Sequence, residues 1–290
     1  MSPNDLSFPS SPSAMPARNL RFFNADIAHR WYMDGDPVRS AFFTALSATF
    51  PLGERFFIDS VREWRGVVDP SRHAEVDAFV VQEALHTREH LVYNDLIAAA
   101  GYDTSAMTDR TRDVLAPSRA GSALGRLGLT MALEHFTALF AHAVLTRPEL
   151  LAGAPEDVRS LWRWHAMEEI EHKAVAFDVF VNVTASWPSY RRYGFRVWTL
   201  VEASRVLGAV VARNMGDLYA QDGLSQSRTW WKTLRFFFGW HGVVTRLLGG
   251  YAAWLRPGFH PWQIDDLELA QQVAAEIDAS RDPTLAEDGV

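Results

Sequence analysis

Two stretches of this 290-residue chain carry side chains that could do chemistry together: Glu83-x-x-His86 and His165-x-x-x-Glu169-x-x-His172. A helix turns about 100° per residue, so offsets of three, four and seven return to nearly one face. Each stretch therefore points a carboxylate and at least one imidazole in one direction. Glu-x-x-His on each of two helices, with one further Glu from each of two others, is the donor pattern of carboxylate-bridged two-metal sites in helix bundles. One such motif alone is weak evidence, but the setting strengthens this pair. Phe79, Glu83, His86 and His90 share one stripe, and His165, Glu169, His172 and Ala176 share another, both among large apolar residues. Burying such stripes is costly unless the charges are paired or metal-bound.

Glu54 lies in GERFFIDSV and Glu134 in LGLTMALEHFTALFAHAV, the latter with almost no charged neighbours. Four carboxylates would balance two divalent cations. On the bundle template Glu83 and Glu169 bridge the metals. Glu54 and His86 complete one, and Glu134 and His172 complete the other, with His165 as a third imidazole. His90 is expected to orient a ligand from behind, with direct coordination as the alternative. Asp178 and Asn182 are further candidates for that supporting role. Glu168 and Glu171 fall off the ligand face and are expected to be solvated or bonded to neighbours. The plain alternative is that all of these are ordinary polar residues on helix surfaces.

The elements that must position these groups read as helices throughout. Helix is expected over 38–50 and 53–64 with a break near Pro51, and from Pro70–Ser71 to about Ala100, where Gly101 suits the end. Pro117–Ser118 is expected to open a helix to about Leu145, and Pro155 one to about Val183. Later helices are expected over 190–219, 228–255 and 264–280. The fold class is thus all-α, a four-helix bundle with additional C-terminal helices. Residues 1–20, rich in Ser and Pro, read as a disordered tail without the features of a secretory signal. Residues 21–290 read as one helical domain, with the bundle core at about 38–185 and a C-terminal extension at about 186–290.

Composition bounds the chemistry. The chain has no Cys, which removes disulfides, thiolate metal sites, Fe–S clusters and Cys nucleophiles, so a metal must take N and O ligands. A net charge of −7 argues against general nucleic-acid binding. The lack of disulfides fits a reducing compartment, and the expected location is cytoplasmic. No window of eighteen residues is free of charge, so no membrane-spanning helix is expected; the nearest approach is 194–212. The segment RTWWKTLRFFFGWHGVVTRLLGGYAAWLRPGFHPW admits three readings. It could wall a channel for an apolar substrate, lie on a membrane surface through 228–256, or simply pack on the bundle.

The segments GERFF, QEALHTREH, LEHFTA and WHAMEEIEHKAVAFDV resemble a bacterial family of ferritin-like proteins described as predicted metal-dependent hydrolases. The likeness runs from about Arg21 to the end, though only those four segments are specific. The order Glu, Glu-x-x-His, Glu, His-x-x-x-Glu-x-x-His is also similar to that of the arylamine N-oxygenase family of di-iron enzymes. That resemblance implies Glu54, Glu83, His86, Glu134, His165, Glu169 and His172 as metal ligands. Outside these positions there is little match, and His90 goes beyond the seven. The expectation is a non-haem di-iron oxidoreductase that activates O2 to oxidise a small hydrophobic substrate. Its cofactor would be two Fe ions, with Mn or Zn as alternatives, and its electrons would come from an external donor, since no Gly-rich dinucleotide fingerprint is present. A homodimer is left open. The alternatives are a binuclear metal-dependent hydrolase and a non-enzymatic metal-storage or structural bundle.

Overall fold

The computed structural model describes residues 15–23, 27, 30–224 and 226–279. Among these the chain is helical and has no strand. The helices are α1 (Pro37–Ser47), α2 (Phe50–Arg62), α3 (His73–Ala99), α4 (Ser105–Ala120), α5 (Ala123–Thr146), α6 (Glu156–His172), α7 (Val175–Val183), α8 (Ser189–Gln221), α9 (Gln226–Phe238), α10 (Val243–Trp254) and α11 (Leu267–Ala279). Four of them close a ring: α2 packs on α3 and α5, and α6 packs on the same two. This is the all-α four-helix bundle expected from the spacing, and it agrees with the ferritin-like fold that the resemblance implies. Around it, α8 runs along α5, α11 covers α6, and α10 packs on α5 and α9.

Local chemistry sets the boundaries. The Asp36 carboxylate accepts the backbone N–H groups of Val38 and Arg39 at 2.9 and 3.2 Å and starts α1. Asp69 accepts from Ser71 at 2.9 Å before α3, and Gly101 ends that helix at φ +98°. The first break falls at Ala48–Thr49 rather than near Pro51. Pro51 sits in the opening turn of α2, where a missing N–H costs nothing. Helix α4 was not anticipated. Pro117, expected to open the helix of Glu134, lies inside α4, and that helix instead begins at Ala123. Its cap is Ser122 Oγ, accepting the Gly125 N–H at 3.1 Å. The expected helix from Pro155 to Val183 is divided after His172. There the buried Lys173 ammonium pairs with Asp266 and donates to the Ile264 carbonyl at 2.7 Å.

The expected 228–255 helix is two helices, parted by a turn over 239–242. A Cβ on Gly239 or Gly242 would meet a backbone carbonyl oxygen at 2.5 or 2.4 Å, so this turn admits only glycine there. Of the expected tail, residues 1–14 lie outside the described residues, whereas 15–20 lie against the bundle with Met15 and Leu20 buried. Among the described residues one helix, α5, is long and apolar enough to cross a membrane by length and composition, and 78% of its apolar window is buried within the fold, as in a core helix.

Candidate metal centre

The ring places each ligand candidate on a face turned inward. Glu54 comes from α2, Glu83, His86 and His90 from α3, Glu134 from α5, and His165, Glu169 and His172 from α6; all are buried. The structure gathers them into two groups, each compact enough to share one ion. Glu83, His86, Glu169 and His172 form one, and Glu54, His90 and His165 form the other. Glu134 stands beside the first, its Oε2 3.2 Å from His172 Nδ1. The template's partition is thereby corrected: both Glu-x-x-His imidazoles fall in one group. The second group has Glu54 with two imidazoles.

Hydrogen bonds fix which ring nitrogens face inward. The Asn94 amide N–H donates to the Ser47 carbonyl at 3.0 Å, leaving its oxygen to accept the Ser47 hydroxyl at 2.7 Å. Ser47 Oγ then accepts His90 Nδ1–H at 2.8 Å, and His90 Nε2 accepts His165 Nδ1–H at 2.6 Å. His165 Nε2 is left bare, yet it lies 2.8 Å from Glu169 Oε1 and 4.0 Å from Glu54 Oε1. A lone pair facing a carboxylate at that distance needs a proton or a cation between them. His90 thus stands behind His165 and orients it.

His86 follows the same logic. Glu168, read from the sequence as lying off the site, is buried and lies 3.1 Å from His86 Nε2. Burial pushes the Glu168 carboxyl up to about 8, and Arg18 opposes that shift. The Arg18 guanidinium grips Glu171 through two bonds of 2.8 Å and reaches Glu168 at 3.4 Å. Gln82 also donates to Glu171 at 3.0 Å. With Nε2 committed to Glu168, His86 Nδ1 faces Glu83 and Glu169, 3.8 Å from each. Spacing within α6 could not reveal this chain of contacts, because Arg18 is 150 residues from Glu168. Asp178, by contrast, lies outside both groups, held by Arg72 at 2.9 Å and His260 at 3.0 Å. Asn182 is half-buried on α7.

The electrostatics are those of a cage of like charges. Burial, then the neighbouring carboxylates, hold Glu54 and Glu83 well above the usual carboxylate range. Burial and Glu169 lift Glu134 to about 7. Burial also acts to raise Glu169, but His172 and His165 overrule it and hold that carboxyl low. Burial disfavours the charged form of His172, yet Glu169 and Glu134 raise it to about 9. His86 and His90 are pushed well below the ordinary imidazole value, first by burial and then by other imidazoles.

Whether these residues suit metal ions can be tested on their unmet bonds. Both oxygens of Glu54 and of Glu83, Glu134 Oε1, Glu169 Oε2, His86 Nδ1 and His172 Nε2 are buried without a hydrogen-bond partner. Buried polar atoms are ordinarily bonded, so this many converging orphans is a deficit of cations. A mixed set of carboxylate oxygens and imidazole nitrogens fits divalent first-row metals. The two groups can therefore hold a two-metal centre. An apolar recess lined by Phe50, Phe140, Val144 and Trp162 reaches His165 and Glu169.

No protein of curated function and no solved structure matches this chain. A family model described as predicted metal-dependent hydrolase matches residues 16–265, taking in the whole ring, the Arg18 segment and most of the C-terminal helices. Its description agrees with the buried Glu and His donors, and the chain belongs to this family.

Proposed function

We propose that the protein is a non-haem di-iron oxidoreductase that uses O2 to oxidise a small, apolar organic substrate. The observation that carries this reading is the setting of the donors. They are sealed from bulk water, and the recess that reaches them has apolar walls. O2 fits so small and apolar a space, whereas a polar ester, amide or phosphate would lose its hydration there.

Glu54 and His165 would hold one ion, and His86, His172, Glu83 and Glu169 the other, and Glu169 Oε1 lies 2.8 Å from His165 Nε2. Bound iron would supply O2 binding and electron exchange, which no side chain of this Cys-free chain offers. Glu168 and His90 keep the donor nitrogens of His86 and His165 turned inward. Glu134 holds the Nδ1 edge of His172. Phe50, Phe140 and Trp162 would exclude water beside His165 and Glu169. The electrons must come from a separate donor protein or small reductant.

The family's description favours a second reading, a binuclear hydrolase in which two metals activate water. One experiment separates the two. Protein purified without added metal is analysed for metals, and its absorption spectrum is followed through reduction and return to air. Iron in both groups, bleaching on reduction and a new absorption with O2 are expected. Zinc, no spectral response and cleavage of ester or amide substrates would overturn the oxidoreductase in favour of the hydrolase.

A further inference from the structure

Between Asp222 and Asp265 the chain has no Asp or Glu, yet it carries Arg228, Lys232, Arg235, Arg246 and Arg256. This acid-free stretch lies in a chain whose net charge is −7. Within it, α9 is two-faced. Thr229 and Thr233 are buried and Phe236 and Phe237 pack inward, while Trp231, Leu234 and Phe238 are 70, 49 and 62% exposed on the outside. These three recur at offsets of three and four, so they form one outward stripe. The glycine-only turn that follows carries Trp240 at its tip, 86% exposed. Arg228, Lys232 and Arg235 flank the stripe, exposed, and form no ion pair among the described residues.

We propose that α9 and this turn form a docking face for an anionic lipid bilayer. Tryptophans with an apolar body and a polar N–H settle at the headgroup level. Exposed cations beside them add attraction to anionic lipid, and a helix with this division of faces lies flat in the interface. A second copy of the chain fits the face less well. A symmetric pairing would set three cations of one subunit against the same three of the other, with no acid in the segment to answer them. The placement also has a use. Phe236 and Phe237 contact Phe42 at 5.4 and 5.2 Å, and Phe42 contacts Phe140, a wall of the recess, at 5.5 Å. Helix α9 thus stands between the bilayer and the recess, where apolar molecules dissolved in lipid would arrive. The docking face stands independently of the metal chemistry.

The test is flotation of the full chain with vesicles of phosphatidylcholine alone and of equimolar phosphatidylcholine and phosphatidylglycerol, with tryptophan emission recorded alongside. Binding to the phosphatidylglycerol vesicles, a blue shift in emission and release by high salt are expected. The triple change Arg228→Glu, Lys232→Glu and Arg235→Glu should weaken binding by roughly 100-fold or more. Trp231→Ser with Trp240→Ser should weaken it about tenfold and abolish the blue shift. If either variant folds poorly by circular dichroism, Trp240→Ser alone, at the tip of an exposed turn, gives the same reading at smaller amplitude. No binding to phosphatidylglycerol vesicles at low salt would overturn the proposal. So would unchanged binding by folded variants, or a wild-type dimer that the Trp changes dissociate and that ignores vesicles.

Discussion

Glu83→Leu should act in opposite directions on the metal-free and metal-loaded protein. Glu83 is fully buried, and neither of its oxygens has a hydrogen-bond partner. Four other carboxylates, Glu134, Glu169, Glu54 and Glu168, raise its pKa further after burial has done so. Without metal, this group is a buried carboxyl among other acids and without a hydrogen bond, which costs about 1–3 kcal/mol relative to an apolar residue of similar size, less what it gains from His172 Nε2 at 3.3 Å. At this chain length 1 kcal/mol moves the melting temperature by about 2 °C, so the metal-free variant should melt about 2–6 °C above the metal-free wild type. With metal the order inverts. The wild type gains about 4.1 kcal/mol at a metal concentration about 1,000-fold above the dissociation constant, which exceeds the variant's metal-free advantage, and the variant loses most of that gain. Calorimetry of both proteins, with chelator and with saturating iron or manganese, reads the two signs directly. If Glu83→Leu lowers the melting temperature equally in both states, the carboxylate is satisfied by protein alone and the cation-deficit reasoning fails.

Removing metal should also leave a pH signature. Glu54 and Glu83 lie well above the carboxylate range, Glu134 near 7 and His172 near 9. Each binds its proton more tightly folded than unfolded, so each lends stability that is lost as pH rises through the folded value. His86 and His90 act the other way, but only below about pH 6.5. Glu169, held low, acts only at acid pH. The metal-free melting temperature should therefore fall between about pH 7 and 9, and a flat or rising curve would contradict the assignment. Arg18→Ala and Glu168→Gln should each weaken metal binding by about 10–100-fold, read by metal titration, with secondary structure retained by circular dichroism. Lys173→Met should destabilise by about 3–5 kcal/mol because it strands buried Asp266, and adding Asp266→Leu should recover most of that in denaturant unfolding.

The positions of the four ring helices were legible because their periodicity is carried by apolar stripes with the ligand candidates set into them. Glu54, Glu83, Glu134 and Glu169 could be picked out as acids in apolar company. Helix α4 was hidden because its buried face is only Met107, Thr111 and Leu115, three residues in a polar sequence, and because Pro117 reads more naturally as a beginning than as a last turn. The break after His172 was hidden for a different reason. It is fixed by Lys173 reaching Asp266, a contact 93 residues away with no periodic signal. Glu168 and Glu171 were read as outside the site since helical geometry alone puts them off the ligand face. Their partner Arg18 lies in a stretch whose Ser and Pro content reads as tail. The pairing of donors into two groups depends on how α3 and α6 cross, which spacing within either helix does not encode. Asp178 shared a helical run with the ligands on paper, but the division into α6 and α7 turns it toward Arg72 and His260.

The grip of Arg18 on Glu171 spans 153 residues. During synthesis the Arg18 segment must wait until α6 has left the ribosome before that clasp can close. Until then His86 lacks the Glu168 brace that turns its Nδ1 inward. Metal insertion is on this account an event that follows the synthesis of α6, when the Arg18 segment and the last ring helix made are buckled together around the ions. Shortening the chain past Arg18 would leave all the ligands in place and still yield a poorly loaded protein.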